Sequence, residues 1–469
     1  MEWNLKGQEE IDMRGNKKES DSLLQCLVEK LSKSTDLEQR SFGTSDQQVN
    51  LIYLRSVSDS AMVNQFVISP FYEMKDEKVY EDYIASFPGS KSSHEIKEIL
   101  EMLLSGHIGI FFDEEKMYLF DAVRAEAGPV EDAQTEVIVQ GPADSFNESL
   151  DVNMNLIRRR YQSSDLKAET TTIGHKSKTK IAIMYDETRI DPEVLKELKK
   201  RLDGISIDIL QAAAELDKYL SGNKYRLFPT TIVTERPDRA VFNISEGKIV
   251  LIVDTAGFAV ILPAVFNDFF TAMDDKLQVL PVGWFLKGIR YLGLILTVLI
   301  PSLYVAFTSY NPEVWKVQIA LLVAGSRATV PYPSYIEVLI MLLMMEFLTE
   351  ASLRLPKAIG PTATTVGGLI LGTAATEAGL VSNIMIILVS AVAISNFVIP
   401  MNMMGFTIRV IKYPFIFLAT IYGFLGIVLG LVSVIMYLSS LRSFGKPYFK
   451  IFAIERARKN NSQRERDNG

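Results

Sequence analysis

YPFIFLATIYGFLGIVLGLVSVIMYLSSL, residues 413–441, runs for 29 positions without a charged side chain. A helix needs roughly 20 consecutive apolar residues to cross the hydrocarbon core of a bilayer. Two more charge-free stretches, 22 residues at 291–312 and 25 at 384–408, meet the same requirement. Any one of them could be the buried helix of a soluble protein, but three within about 150 residues assign that region to a membrane.

Two further apolar segments complete the rear half. Residues 335–353 carry Glu337, Glu346 and Glu350, and residues 358–376 are rich in Gly, Thr and Ala, with Glu377 following. Orientation follows from basic residues near the span ends. Eight of them (Arg442, Lys446, Lys450, Arg456, Arg458, Lys459, Arg464 and Arg466) follow residue 441, and Lys287 and Arg290 precede the first span. Both ends are therefore expected on the cytosolic side, with four crossings at 291–307, 335–353, 384–404 and 415–437. Arg354 and Lys357 then fall inside, while Arg409 and Lys412 fall outside against the rule. Segment 358–376 must begin and end inside as a re-entrant or broken helix, which is tolerated only where its backbone is buried in protein or lines water. Residues 314–324 are too short to span and are expected to lie at the outer interface or dip partway in.

Carboxylates inside a membrane are costly and normally face a cavity or a partner. Glu346 and Glu350 lie one helical turn apart with Arg354 a turn further, and Glu337 sits on the opposite face. One reading is a self-neutralising Glu350–Arg354 clasp; the other is a carboxylate lining a cation path. Gly368 and Gly372, and Ala419, Gly423, Gly426 and Gly430, form small-residue edges of the kind that pack helices closely.

The front half is different in kind. Residues 1–283 hold 33 Lys and Arg against 48 Asp and Glu, whereas residues 284–469 hold 16 against 8. This acidic front argues against a nucleic-acid surface. No apolar core flanked by basic residues opens the chain, so no secretory signal is read and the front half is expected in the cytosol. Residues 1–45 read as a polar tail with one short amphipathic helix around Leu23–Leu31. Next come a strand at 49–57, helices at 60–73 and 94–104, a hairpin at 106–123, and EVIVQGP at 136–142. A second unit follows with a helix from 145 to 160, KIAIMYD at 180–186, a helix at 192–202, ISIDIL at 205–210 and a hairpin at 247–263. The reading is an α/β cytosolic region of two small subdomains, 46–140 and 141–275, followed by an α-helical integral membrane domain at 284–440 and a basic cytosolic tail at 441–469.

Chemistry-bearing patterns are absent. Cys26 is the single cysteine and the three histidines, His94, His107 and His175, are scattered, so neither a thiolate cage nor a catalytic metal site is read. No phosphate-binding loop, dinucleotide fingerprint, zinc-protease motif or nucleophile elbow occurs. Neither enzymatic activity nor a cofactor is expected. Asp144 and Asp151 read as partners of a helix start, and 235–239 (ERPDR) as a solvated salt-bridged loop.

The order of motifs carries more. GPADSFNESLDVNMNLIRRR (141–160), FPTTIVTERPDRAVFNISEGKIVLIVDTAGFAVILPAVFNDFF (228–270), KGIRYLGL (287–294), the run from 330 to 382 that contains RLPKAIGPTATTVGGLILGTAATEAG, and PMNMMGFTIRVIKYPF (400–415) resemble the A subunits of spore nutrient germinant receptors, the GerA family. The resemblance spans nearly all of residues 46–440. Ser145 stands where the pattern has a glycine, and LKGIRY replaces a more arginine-rich version. The resemblance implies a sporulation protein of the spore inner membrane that works with a transporter-like B subunit and a lipoprotein C subunit. It further implies that A subunits assemble, in contact with membrane lipid, into an oligomeric nutrient-gated ion channel. On that reading a ring of identical subunits supplies the lumen that 360–376 requires. Thr362, Thr365 and Thr373 offer hydroxyls to it, and Val366, Leu369 and Ile370 form a dewetting gate. Glu337, Glu346, Glu350 and Glu377 are the intramembrane carboxylates. The rival is a secondary transporter or scaffold subunit without its own pore.

Overall fold

The computed structural model describes residues 23–449, except 45–46, 75, 88–89, 94, 113–115, 124–132, 134–135, 137–140, 223–225, 315 and 357–358. It divides into two compact units. The first comprises residues up to 137, 142–222 and 233–263; the second comprises 138–141, 223–232 and everything from Ala264 onward.

The first unit is built on two sheets. Helix α1 (Leu23–Leu31) leads into strands β1 (Leu37–Thr44) and β2 (Gln47–Leu54). A helical run over 60–73, π-helical at its centre, and helices α2 (Glu77–Ala85) and α3 (Ile96–Leu104) precede β3 (His107–Phe111) and β4 (Met117–Asp121). The strands pair in sequence order, with Leu37 opposite Leu54 and Ile108 opposite Phe120. Side chains alternate across a sheet. Val49, Leu51, Tyr53, Ile108 and Ile110 therefore pack on one face with Val63, Phe71, Tyr80 and Ile84. Ile52, Phe111 and Leu119 point the other way into Leu27, Leu31, Ile99 and Leu103 of α1 and α3. Both faces of this sheet are covered.

The second sheet follows α4 (Leu150–Arg160). It contains β5 (Leu166–Ile173) and β6 (Thr179–Asp186), then, after α5 (Pro192–Asp203) and α6 (Ala213–Leu220), β7 (Ile232–Thr234), α7 (Pro237–Ser245), β8 (Ile249–Val253) and β9 (Ala259–Leu262). Strand order is β5-β6-β8-β9-β7. Every residue of β8 and β9 is buried, as their continuous apolar runs require of strands covered on both faces.

The sheets are joined by polar contacts, the central ones out of reach of water. Arg158 of α4 donates to both carboxylate oxygens of Asp36, at 2.9 and 2.8 Å, and each side chain is 1% exposed. Ser56 also donates to Asp36, and Asn155 of α4 donates to the Ser56 carbonyl at 3.0 Å. Backbone N–H of Thr35 donates to the Ala168 carbonyl in β5 at 2.8 Å.

The second unit is helical. A short turn (Asp274–Leu277) is followed by α8 (Leu280–Ser309), α9 (Val317–Ser326), α10 (Ser334–Arg354), α11 (Gly360–Glu377), α12 (Asn383–Phe397), α13 (Asn402–Tyr422) and α14 (Phe424–Ser440). Among the described residues, α8 and α13 are long and apolar enough to cross a membrane, and α9, α12 and α14 are shorter apolar helices. A two-strand hairpin, β10 (Arg442–Ser443) and β11 (Lys446–Pro447), closes the described chain. Tyr448 beyond it is fully buried, with its ring 6.2 Å from that of Phe266.

Several expectations are corrected. Residues 1–45 are not all polar tail: α1 sits where an amphipathic helix was read, but β1 follows it as an edge strand. Its sequence, LEQRSFGT, has only Leu37 and Phe42 as large apolar side chains, so period-2 alternation is invisible. The alternating ISIDIL is not a strand. Its carbonyls at Ile207 and Asp208 accept from His175, Lys176 and Ser177 in the β5–β6 turn, and Ile209 is exposed. Most of the 136–142 strand, all of residues 1–22 and the tail from 450 lie outside the described residues, and 442–448 form structure rather than tail. The two crossings at 384–404 and 415–437 are three helices. Pro400 lacks an N–H and disfavours helical backbone at Ile399, which separates α12 from α13. Gly423 adopts φ +59°, in the left-handed region, and separates α13 from α14. Within the segment expected to be re-entrant or broken, Gly360–Glu377 form the helix α11 without a break, so its backbone is satisfied within itself.

Candidate functional site in the helical unit

The carboxylates of α10 have separate fates. Glu337, in the first turn, is fully buried. Backbone N–H and hydroxyl of Ser382 donate to its Oε1 at 2.8 and 2.6 Å, Tyr304 donates to Oε2 at 3.4 Å, and Arg327 lies 3.3 Å away. Ser382 is also the N-cap of α12. Glu337 therefore ties α8 and the chain after α9 to the start of α12, and faces no path.

Two and a half turns on, Glu346 meets α13. Nε of Arg409 donates to Oε2 at 2.8 Å, a second guanidinium nitrogen joins it, and Lys412 Nζ donates to Oε1 at 2.7 Å. Arg409 and Lys412 are three residues apart in a helix, so both reach one point on a neighbouring helix. These two cations, which the four-crossing scheme leaves outside against the rule, are thus both turned onto the Glu346 carboxylate. Arg409 also lies over Phe406, 5.5 Å from the ring centroid, and Lys412 over Tyr413 at 5.3 Å. One turn further, Glu350 and Arg354 form the i,i+4 clasp at 2.6 Å, well exposed on both sides. Glu377 is exposed at the last turn of α11.

Helix α11 has two unlike faces. A Cβ on Gly367 or Gly368 would come 3.3 Å from the Leu348 side chain, so these glycines let α10 and α11 approach closely. At about 100° per residue the opposite face carries Thr362, Val366, Leu369 and Thr373, flanked by Thr365 and Ile370. All six are exposed: Val366 at 50%, Leu369 at 68% and Ile370 at 60%. The Thr373 hydroxyl donates to the Leu369 carbonyl at 3.0 Å, so the polar members of this face are compatible with an apolar surrounding.

In the first unit, the ERPDR stretch is not a solvated loop. Arg236 is 1% exposed and is the N-cap residue of α7; it donates to Asp238 at 3.0 and 2.8 Å and to the carbonyls of Glu136 and Pro142 at 3.2 and 2.8 Å. Arg239 lies 3.0 Å from Glu136, whose carboxyl is pushed above the usual range by burial, against the pull of that guanidinium. Sequence reasoning counted the charges and missed the burial, because a dense charge cluster on a turn is ordinarily hydrated. Asp144 and Asp151 pair with Arg160 and Arg55; it is Asp254, from the far end of β8, that accepts the Leu150 N–H at the start of α4.

The chain as a whole is similar to known proteins. The family profile of the Bacillus/Clostridium GerA spore germination protein matches residues 25–464. The chain belongs to the GerA family of spore germination proteins. Spore germination protein B1 of Bacillus subtilis strain 168 is 33% identical over 413 residues, which are 87% of this chain and 86% of that protein. Spore germination protein GerQA of Bacillus cereus is 33% identical over 428 residues, 91% of this chain and 86% of that one. Among solved structures, the N-terminal domain of the A subunit of the Bacillus megaterium spore germinant receptor GerK3 matches 52% of this chain and 94% of that domain. Its identity is 25% and its TM-score 0.40. As a GerA-family chain, the protein pairs an α/β first unit with a helical unit rich in apolar helices.

Proposed function

We propose that this GerA-family chain is the membrane subunit of a spore nutrient germinant receptor, and that copies of it assemble into a nutrient-gated ion channel with α11 facing the lumen. The exposed face of α11 carries this reading. Its glycine side is used up by α10, and the remaining side mixes threonine hydroxyls with Val366, Leu369 and Ile370. A ring of identical helices covers such a face, and apolar side chains brought close together close a pore by excluding water. Support no longer comes from a broken backbone, since α11 is continuous. That continuity favours the channel over a transporter whose site is made by unwound helices. Glu346 is occupied by Arg409 and Lys412 and is a poor choice for a lumen carboxylate. The same reading places the protein in the spore inner membrane with both termini cytosolic, alongside a transporter-like B subunit and a lipoprotein C subunit.

Val366→Ser tests it. Wetting the constriction should make sporulating cells lose ions early or germinate without nutrient, while the variant accumulates normally. Normal ion retention and nutrient dependence with normal accumulation would remove α11 from the lumen.

A further inference from the structure

The chain is apolar and uncovered where it enters α8. Leu277, Val279, Leu280, Val282, Trp284 and Phe285 are all exposed, Leu280 and Trp284 at 76% each. Contiguous exposed apolar surface of this kind marks an interaction site. Trp284 lies about two turns before the charge-free run at 291–312, so the patch is not part of that run. Helix α8 is two-sided. At about 100° per residue, Trp284, Phe285, Leu292 and Ile295 fall within one arc of about 100°, and all four are exposed. The opposite side is taken up by protein. A Cβ on Gly283 would come 2.8 Å from the Asp275 carbonyl oxygen, and one on Gly293 would come 2.8 Å from that of Ser395 in α12. Arg290, on the same side, is paired with Asp275 and donates to the Phe270 carbonyl at 3.2 Å.

Length indicates what covers the open arc. With 30 residues, α8 is about 45 Å long, more than the roughly 30 Å of bilayer hydrocarbon and equal to the about 40 to 45 Å of a bilayer with both headgroup layers. Each headgroup layer then takes about 7 Å, and Trp284, four residues or about 6 Å from the helix start, falls at its inner boundary, where indole rings are enriched. Arg290 lies deeper, and the charge it carries there is already met by Asp275, with which it is largely buried. Lys287 lies between them, close enough for its long side chain to reach the headgroups. From this we infer that the exposed side chains from Leu277 to Phe285 are sunk in the headgroup–acyl boundary of the bilayer on the side where α8 begins, with Trp284 as anchor. The first crossing therefore enters lipid about two turns before its charge-free run. This rests on the membrane reading of the helical unit and not on the channel. Lipid is favoured over a second copy because the arc continues without a break into Leu292 and Ile295 and carries no polar side chain to fix a protein partner's register. Lys276, exposed beside the patch, suits the anionic headgroups of a bilayer surface.

The test uses the full chain in phosphatidylcholine vesicles, with Trp3→Phe and Trp315→Phe so that Trp284 is the one tryptophan left. Lipid brominated near the top of its acyl chains should quench Trp284 emission, lipid brominated near the chain ends should quench it less, and iodide on both sides of the membrane should take little. A chain whose only tryptophan comes from Ile295→Trp reads the membrane reading itself: that position lies about 22 Å from the helix start, near the mid-plane, and the deep bromines should quench it more. If Ile295→Trp responds to the deep bromines while Trp284 yields to iodide and not to lipid, the membrane reading stands and the anchor falls. Protection of Trp284 from both quenchers means that protein, such as a second copy, covers the patch, and this too overturns the inference. Absence of bromine quenching at both positions removes the membrane reading along with it. Should the background substitutions unfold the chain, Trp284→Phe in the otherwise native protein decides: the emission lost to shallow bromines should shrink, and an unchanged loss overturns the anchor.

Discussion

Truncating Asp36 to alanine should destabilise the first unit by about 3 to 5 kcal/mol, the cost of leaving one member of a buried ion pair uncompensated. The figure belongs at this site because nothing dilutes it. Both side chains are 1% exposed, so water cannot move in to replace the carboxylate. Among the described residues Arg158 Nη1 has no hydrogen-bond partner, and losing Asp36 would orphan Nε and leave Nη2 only its 3.4 Å bond to the Ser34 hydroxyl. Ser56 would lose its acceptor at the same time. For a unit of roughly 150 to 250 residues, 1 kcal/mol moves the melting temperature by about 2 to 4 °C, so the transition should fall by roughly 6 to 20 °C. The assay is thermal unfolding of the purified full chain, followed by hydrogen exchange at the Thr35 amide, which bridges to the second sheet. Asp36→Ala with Arg158→Met should recover much of the loss, because it removes the stranded charge along with its partner. A single variant that melts within 3 °C of the parent, or a double variant no better than the single, would refute the claim that this pair is desolvated and clamps the two sheets.

Tyr161 and Asp186 make stability sensitive to pH at both ends. Burial, with the hydrogen bond to Asp186, raises the Tyr161 phenol to about 12, so the stability it contributes is full below its ordinary value near 10 and is lost as pH rises toward 12. Burial pushes Asp186 up, but hydrogen bonds from Thr188 and Tyr161 outweigh it and hold the carboxyl below its usual value. Its contribution is therefore present above about pH 4 and fades on acidification below that. Tyr161→Phe should flatten the alkaline limb of a pH–melting profile; an unchanged limb counts against the assignment. Gly423→Ala should cost about 1 to 2 kcal/mol from left-handed backbone alone and more from contact with Tyr310, whose Cγ would lie 3.0 Å from the new Cβ. Melting of the purified variant within error of the parent would show that this joint relaxes freely. A reporter fused after Gly469 should stay protected from impermeant reagents in intact cells, and labelling from outside would reverse the proposed orientation.

How far the sequence could be read depended on whether a residue's partner was near it in the chain. The Glu350–Arg354 clasp was visible because both members share one helix at i,i+4. The Glu346 cluster was hidden because Arg409 and Lys412 come from another helix more than 60 positions later. Strands with apolar alternation, β2, β3 and β6, were legible, whereas β1 and β5 were not. In β5, LKAETTTI puts Glu and three Thr in a strand whose first three residues are buried and whose remainder lies largely open. A second signal was read too strongly. Absence of charge defined three long spans, yet Pro400 and Gly423 divide two of them, since backbone breaks are set by φ and a missing N–H rather than by polarity. For the face of α11, composition marked the residues but only the glycine contacts with Leu348 showed which side is already taken.

The pairing of Glu346 also sets an order of events during synthesis. The carboxylate emerges 63 residues before Arg409 and 66 before Lys412. At about 5 to 20 residues per second, it waits roughly 3 to 13 seconds for its first counter-charge. On the proposed membrane reading, a bare carboxylate at the centre of a helix entering a bilayer costs about 2.5 to 3.5 kcal/mol, so for that interval α10 has little reason to settle in lipid. On that reading its stable lodging comes with α13, and the later helix acts as a chaperone for a segment translated well before it.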